Sequence, residues 1–414
     1  MHRHLAIIVT LAVLSQPASL PVLAPLGFLE ATAQETRQKK EKPKGRRSQV
    51  LSKRAYAKIE EAQQLLADED YANALVQLQQ IRDGAKFTPY EKAVALQTAG
   101  FVYAGQGDYV KTIAAFEEAA NSGDLPPRVV SDLVYNLAQL NLAEGRNARA
   151  LDYMTRWFAE VEGEPTAGAY GLKAQIHLVM EDFTAAEQAV RKALSKVETP
   201  RQNWTRLLLS VLLQQERYGE ARPILEDAAL RWPGVKAFWQ QLTAVYYEVG
   251  EEQLAFVAQQ VMHRQNMLKT SKELAGIAQL YLYHDIPIKA ANVLQTGLDD
   301  GRIEKTVKNY ELLAQSYMHA REWDKAVAPL TLAAEKSDKG RFYEQLGQSY
   351  LQDEKWRDAE KAFVNALNKG GLRDAANTWL LLGIARTRVE KWDSAIDAFR
   401  KAGDDDDTAK DAFR

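Results

Sequence analysis

A repeated glutamine is the side chain whose type and spacing most clearly suggest a chemical role in this sequence. A side-chain amide both donates and accepts hydrogen bonds, so glutamines spaced along a surface can hold the backbone of an extended peptide. The alternative is duplication of a repeat in which a polar residue is tolerated. The glutamine follows a small residue in the phrases Ala138-Gln139-Leu140-Asn141, Ala278-Gln279-Leu280-Tyr281, Ala314-Gln315-Ser316-Tyr317 and Gly347-Gln348-Ser349-Tyr350.

Residues suited to catalysis or metal binding are sparse. The chain has no cysteine, which excludes thiolate metal sites, cysteine nucleophiles and disulfides. Its six histidines are scattered, and neither a His-Glu-x-x-His motif nor a phosphate-binding glycine loop occurs. The acidic run 404–407 lacks the spacing and the glycine of a calcium loop and is typical of a solvated turn. We therefore expect a protein that is not an enzyme and that needs no metal and no cofactor.

The elements that position the glutamines belong to a repeat that occurs ten times. A small residue opens the second helix of each copy, and apolar or small residues follow four and seven positions later, with Gln259 as the exception. This spacing forms one face of a helix. Successive copies lie 33 to 38 residues apart. The opening position holds Ala74, Thr112, Ala150, Ala186, Ala221, Ala255, Ala290, Ala326, Ala359 and Ala395.

The pattern resembles the tetratricopeptide repeat, a unit of two short helices that stacks into a solenoid. The resemblance implies an all-α fold, a right-handed superhelix of about ten helix-turn-helix repeats over residues 55–402 with no sheet. One repeat cannot bury its apolar face alone, so stacked neighbours bury it together. Gly107, Gly145 and Gly250 fall between the two helices of a repeat, where a turn is expected.

In tetratricopeptide arrays the first helices line a concave groove, and the resemblance places the repeated glutamines there. Nearby groove positions hold tyrosines and further glutamines but few charges, which argues against a clamp for acidic tails. Tyrosine adds apolar contact at a low cost in conformational entropy. The predicted protein-binding residues are Tyr135, Gln139, Gln175, Gln240, Tyr247, Gln279, Tyr283, Gln315, Gln345 and Gln348.

Residues 1–33 have the features of an export signal. The apolar run Leu5–Leu14 follows a positive residue, and Ala31-Thr32-Ala33 supplies small residues for cleavage before Gln34. The apolar core is short for a bilayer span, but the uncharged run continues beyond it, and an uncleaved inner-membrane anchor is the alternative. The absence of cysteine suits an oxidising compartment. We therefore expect a cleaved signal peptide and a periplasmic protein.

A basic arm, residues 34–54, follows the signal and contains nine basic and two acidic residues, whereas the rest of the mature chain is acidic overall. This asymmetry is typical either of a solvated, disordered linker or of a segment that contacts anionic lipid head groups or an acidic partner. The acidic array argues against nucleic acid as a partner. After the repeats, residues 403–414 are expected to form an acidic turn and a short C-terminal cap.

A narrower resemblance rests on the segments Gly276–Tyr283, Gly297-Leu298 and Ile303–Thr306, together with Glu91-Lys92. With the leader and the basic arm, these motifs are similar to exported tetratricopeptide proteins of Gram-negative bacteria encoded beside TonB, ExbB and ExbD. Those components couple the inner-membrane proton-motive force to uptake across the outer membrane. The resemblance implies a non-enzymatic periplasmic adaptor with TonB-, ExbB- or ExbD-type partners. The alternative is a periplasmic scaffold for envelope or cell-wall assembly enzymes.

We expect the mature protein to begin at or near Gln34, because signal cleavage requires small residues before the cut. Amino-terminal sequencing of protein recovered from a periplasmic extract measures this. A variant with Ala31→Arg and Ala33→Arg should keep its leader. Recovery of the unaltered chain from a membrane fraction with Met1 still present would contradict the expectation.

Overall fold

The computed structural model describes residues 50–403, and all regular structure in this range is α-helical. Its twenty helices follow one another as ten pairs, so the all-α prediction is confirmed. The predicted signal peptide, residues 34–49 of the predicted arm and residues 404–414 of the predicted cap lie outside the described residues. The helices are α1 (Lys53–Ala67), α2 (Tyr71–Asp83), α3 (Pro89–Gly105), α4 (Tyr109–Asn121), α5 (Pro127–Ala143), α6 (Asn147–Glu160), α7 (Ala167–Val179), α8 (Phe183–Ser195), α9 (Gln202–Gln214), α10 (Tyr218–Arg231), α11 (Lys236–Glu248), α12 (Glu252–Arg264), α13 (Ser271–Tyr283), α14 (Pro287–Asp299), α15 (Val307–His319), α16 (Trp323–Lys336), α17 (Arg341–Gln352), α18 (Trp356–Lys369), α19 (Ala375–Arg388) and α20 (Trp392–Ala402).

The chain divides into two compact units, residues 1–217 and 218–414. The first contains α1–α9 and the second α10–α20. Within each unit, the first helix of a repeat (odd-numbered) packs against the second helix (even-numbered) of its own repeat and of the repeat before it. First helices of neighbouring repeats also touch, as α17 touches α19. This nearest-neighbour stacking is that of a tetratricopeptide solenoid.

The alanine register predicted from the sequence is confirmed. Each of the ten residues that open a second helix is at most 3% exposed. The residues four positions later are also buried, except for Gln259 and Phe399, which are half-buried. Apolar residues that recur every three to four positions form one face of a helix. That face is buried along its whole length only if another helix packs against it. The apolar pattern therefore determines which side of each second helix faces the core.

In every repeat except the fifth and the sixth, the two helices cross where a small residue of the first helix faces a larger one sixteen positions later. A Cβ added at Gly347 would lie 2.6 Å from the ring of Phe363, and one at Gly383 would lie 2.4 Å from the ring of Phe399. Where the small residue is alanine, the residue sixteen positions later is smaller than phenylalanine. The summed volume of the two side chains is therefore limited by the close-packed crossing. These pairs are Ala62/Leu78, Ala138/Met154, Ala174/Val190, Ala278/Leu294 and Ala314/Leu330.

A residue in the left-handed region makes the turn between the helices of a repeat. At Gly107, Gly145 and Gly250 its φ is 77°, 70° and 78°, as the sequence indicated. In other repeats the same position lacks glycine, at a cost of about 1–2 kcal/mol each. The next residue partly offsets that cost where it caps the second helix, as Asp70 and Asp182 do. The non-glycine residues are Glu69, Glu181, Glu216, Asp285, Arg321, Glu354 and Glu390.

Gly347→Ala should lower the free energy of unfolding by about 1–3 kcal/mol, because the added methyl group overlaps the buried ring of Phe363. Adding Phe363→Leu should recover most of the loss, since it recreates the alanine–leucine pairing of other repeats. In the control Gly276→Ala, nothing lies within 4 Å of the added Cβ, and higher helix propensity should stabilise the protein by about 1 kcal/mol. Urea unfolding measures all three, and equal losses at Gly347 and Gly276 would contradict the close crossing.

Candidate protein-binding surface

The predicted glutamines lie at the edges of the helix crossings. Gln279 follows the buried Ala278 and Gln348 follows the buried Gly347, and one residue of helical rotation carries the side chain about 100° away from that contact. Their exposure differs from repeat to repeat, so they do not form a uniform row. Gln175, Gln240 and Gln279 are exposed, whereas Gln139, Gln315, Gln345 and Gln348 are half-buried.

In the first unit, Tyr135 serves mainly to pack helices. Its ring centroid lies 5.4 Å from that of Trp157 on α6, and burial raises the pKa of its hydroxyl. Trp157 meets Phe158 edge-on at 5.4 Å, and Phe158 meets Tyr170 on α7 at 5.1 Å. Such edge contacts contribute about 0.5–1.5 kcal/mol each beyond area burial. Gln175 is the exposed member of the three residues predicted in this unit, so little of the predicted surface is open here.

The second unit exposes a patch around two tyrosines. Tyr283, at the end of α13, is 75% exposed, and Tyr247, near the end of α11, is 40% exposed. Gln279 lies four residues before Tyr283 and Gln240 seven before Tyr247, so each glutamine shares a helix face with its tyrosine. The two tyrosines are close enough to interact electrostatically. We call Gln240, Tyr247, Gln279 and Tyr283 the tyrosine patch.

An aromatic stack of His284 on Phe256 supports the ring of Tyr283 from one side. The ring of His284 lies flat on Phe256 of α12, with centroids 3.9 Å apart, and Tyr283 meets His284 edge-on at 5.2 Å. Phe256 is buried and also contacts Tyr281. An exposed ring whose base is already held loses little conformational freedom on binding. Tyr283 therefore has the rigidity and exposure typical of a recognition residue.

Gln259 departs from the apolar register because it has a polar partner. Its side chain hydrogen-bonds the hydroxyl of Tyr247, whose pKa is raised by partial burial despite that bond. The facing position on α11 is Thr243, whose hydroxyl donates to the carbonyl of Trp239 at 2.8 Å. A polar pair thus occupies the crossing of the sixth repeat. The sequence identified the exception but not its partner, which lies on the preceding helix.

A charged pair lies among the groove positions, where the sequence indicated few charges. Both terminal nitrogens of Arg341 on α17 donate to the carboxylate of Glu311 on α15, at 2.6 and 2.8 Å. A bidentate pair of this kind fixes the geometry between neighbouring first helices. Gln315 donates to the same carboxylate at 3.4 Å, a long bond. Glu311 lies three positions before its small residue, as Tyr135 does, so the repeat register could have found it.

The remaining predicted glutamines on α17 lie among these contacts between repeats. The side-chain oxygen of Gln345 is buried, and no residue of the described chain donates a hydrogen bond to it. The preceding residue, Glu344, accepts a hydrogen bond from Thr378 on α19 at 2.8 Å. Gln348 is half-buried. From Gln315 to Gln348 the structure therefore has an ion pair and half-buried amides, and the open part of the predicted surface is the tyrosine patch.

Glu273 fixes the N-terminus of α13, the helix that carries Gln279 and Tyr283. It forms a capping box with Thr270 and an ion pair with Lys236 at the start of α11. Burial alone would raise the pKa of Glu273, but the Lys236 ammonium and the backbone amides of Lys269 and Thr270 lower it to about 2. The ion pair therefore joins the two helices of the tyrosine patch.

Residues 50–403 contain no group of three or more histidine, aspartate or glutamate side chains placed to hold a metal ion. No helix within this range combines the length and the apolar character needed to cross a membrane. The described histidines are distributed over different helices: His177 lies on α7, His263 on α12, His284 just after α13 and His319 on α15.

Comparison with known proteins identifies the repeat. The tetratricopeptide repeat profile matches residues 172–238 and 344–409, and no curated protein matches the sequence. A tetratricopeptide repeat protein from Parabacteroides merdae ATCC 43184 is similar in structure, with 14% identity and a TM-score of 0.40 over 72% of this chain and 99% of that one. A MamA protein shows 15% identity and a TM-score of 0.38 over 42% of this chain and 92% of that one. The tetratricopeptide domain of P58(IPK) shows 14% identity and a TM-score of 0.25 over 81% of this chain and 98% of that one.

Glu273→Gln should lower the free energy of unfolding by about 1 kcal/mol at neutral pH, because the amide keeps the cap but loses the charge that pairs with Lys236. The folded-state pKa of Glu273 is about 2, below its ordinary value of 4.5. The wild-type advantage should therefore be complete above pH 4.5 and disappear as the pH falls toward 2.

Urea unfolding of both proteins across this pH range measures the effect. The control Glu335→Gln changes an exposed glutamate of α16 for which the described chain shows no ion pair, and it should leave stability unchanged throughout. A difference between wild type and Glu273→Gln that grows in acid would show that the carboxylate is not stabilised in the folded protein.

Proposed function

We propose that this tetratricopeptide repeat protein is a non-enzymatic adaptor whose tyrosine patch binds an extended segment of a partner protein. The observation that carries the proposal is the exposure of Tyr283 at 75% and of Tyr247 at 40% on successive first helices. Monomeric proteins expose most large aromatic rings singly, and paired exposed rings beside open amides are typical of a recognition surface.

The chemistry of the patch suits a peptide backbone. The amides of Gln240 and Gln279 can donate to backbone carbonyls and accept from backbone N–H groups, while the tyrosine rings bury apolar side chains of the bound segment. The ion pair between Lys236 and Glu273 joins α11 to α13, so an extended segment that crosses from one helix to the other would meet both tyrosines.

We further infer a periplasmic location and a role beside a TonB-type complex. The location is supported by the apolar leader and the small residues before Gln34. The role is supported by the resemblance of the Gly276–Tyr283 block to exported proteins encoded beside TonB. That block contains two of the four patch residues, Gln279 and Tyr283, so the segment that resembles the family is also a segment exposed for binding.

Replacing Tyr247, Gln279 and Tyr283 together by alanine should weaken partner binding by about 2–4 kcal/mol, because two aromatic anchors and one amide are lost. The free energy of unfolding should change less, by about 1 kcal/mol, because the main structural loss is the hydrogen bond between Tyr247 and Gln259. Titration against purified periplasmic domains of TonB- and ExbD-type proteins, with urea unfolding in parallel, measures both.

The matched control removes three exposed apolar side chains from second helices, Leu254, Val257 and Ile288, and should bind normally. Unchanged affinity of the patch variant would refute the patch as the binding surface. If neither domain binds and a cell-wall assembly enzyme co-purifies from periplasm in a patch-dependent manner, the patch is correct and the TonB assignment is wrong.

A further inference from the structure

An open cleft of about 410 Å³ lies in the second unit between α12, α13 and α14. One face of α14 forms a wall, because Lys289, Asn292, Val293 and Thr296 all line the cleft and follow the helical spacing of three and four residues. The volume lies within the range of pockets that hold small organic ligands, about 300–1,000 Å³. The cleft is therefore large enough for a ligand beyond a single ion.

The floor is apolar and partly aromatic. Leu274 and Tyr281 of α13 are 3% exposed, and Val293 of α14 is 8% exposed. Tyr281 and Tyr283 are two residues apart on α13 and project to opposite sides of the helix, about 200° apart. The cleft and the tyrosine patch therefore lie on different faces of α13, and the cleft does not depend on the proposed function.

The rim is basic. Arg264 approaches from the end of α12, Lys289 from the start of α14, and Arg302 from the loop after α14. None of the nine residues that line the cleft in the described chain is acidic. Convergent positive groups without lining carboxylates leave a site whose electrostatic potential favours an anion.

The cations of the rim differ in whether a carboxylate is already paired with them. The side chain of Arg302 is bound to Asp300 through two hydrogen bonds of 2.6 and 2.8 Å, which neutralise much of its charge. In the described part of the chain, no carboxylate lies within 4 Å of the nitrogens of Arg264 or Lys289. Arg264 and Lys289 are also exposed. They are therefore the two cations available to a ligand.

The position of Lys289 has no rationale in helix stability. A cation in the last turn of a helix, such as Arg264 in α12, is favoured by the helix dipole, whereas Lys289 lies in the first turn of α14, where the dipole disfavours it. Its ammonium lies 5.8 Å from the ring centroid of Tyr281, so it overhangs the apolar floor. An anion bound there would interact favourably with the ammonium.

His263 and Tyr281 add neutral hydrogen-bonding groups. Their rings meet edge-on with centroids 6.2 Å apart. Burial lowers the pKa of His263, and the charges of Arg302 and Arg264 lower it further, so the imidazole is neutral at neutral pH. A neutral imidazole supplies one donor and one acceptor.

We propose that this cleft binds a small organic anion, with a phosphate or carboxylate group held between Arg264 and Lys289 and an apolar group lying on Leu274, Tyr281 and Val293. The cations give affinity for the charged group, and the floor discriminates in favour of ligands that carry an aromatic or aliphatic part. Such an amphipathic anion uses both features of the cleft, whereas a bare inorganic ion would leave the apolar floor uncovered.

Isothermal titration of the full chain with phenyl phosphate, inorganic phosphate and benzyl alcohol tests the proposal. Phenyl phosphate should bind in the sub-millimolar range and more tightly than either of the other probes. Arg264→Gln and Lys289→Gln should each weaken phenyl phosphate binding about tenfold, the loss expected for one charge-assisted hydrogen bond. The control Lys308→Gln removes an exposed lysine of α15 that does not line the cleft and should leave the affinity unchanged.

Other outcomes would overturn the proposal in defined ways. Absence of saturable binding of phenyl phosphate, or equal weakening by Lys308→Gln, would mean that the cleft is no anion site. Equal affinity for inorganic phosphate would refute the role of the apolar floor, and equal affinity for benzyl alcohol would refute the role of the cations. Thermal unfolding of each variant without ligand confirms that lost binding does not reflect lost folding.

Discussion

The contact between a small residue in one helix and a larger residue in the next is the constraint on which every repeat except the fifth and the sixth depends. At Gly347 and Phe363, the ring occupies the space that a Cβ would need. The two helices of a pair can approach closely only if a small side chain on one helix leaves room for a large side chain on the other. Because the core of each repeat is thin and shared with its neighbours, one overfilled crossing would disturb the packing of the next repeat as well.

The sixth repeat replaces this contact with polar residues, and both binding surfaces inferred for the protein lie beside it. Its crossing carries Thr243 and Gln259, a polar pair in place of the usual apolar one. Gln259 turns to the hydroxyl of Tyr247 and so supports the tyrosine patch on one side. On the other side, the cleft opens between α12 of this repeat and the helices of the next. The polar side chains at this crossing contribute less apolar packing than those of other repeats. In exchange, Gln259 can hydrogen-bond a residue of the exposed surface.

Contacts between helices also decide which of the predicted residues remain open. Tyr135 could have been a recognition residue but is held against Trp157. Gln315 contacts a carboxylate that is already paired with Arg341. The ring that packs on Tyr135 belongs to the next helix, α6, and the arginine that pairs with the carboxylate beside Gln315 belongs to the next first helix, α17. Exposure on a first helix is therefore set by the helices packed against it as much as by the helix itself.

The sequence by itself determined the features that arise within one helix or one turn. The ten small-residue positions (nine alanines and Thr112), the apolar face of each second helix and the turns at Gly107, Gly145 and Gly250 follow from spacing alone, because helical periodicity and turn conformation are local. The predictions for residues 1–49 and 404–414 rest on the sequence alone. The tertiary structure decided what depends on packing between helices: the contact of Tyr135 with Trp157, the pairing of Glu311 with Arg341 and the cleft beside Lys289. These side chains meet across helix interfaces, and their contacts depend on how closely two helices approach, which no residue spacing specifies.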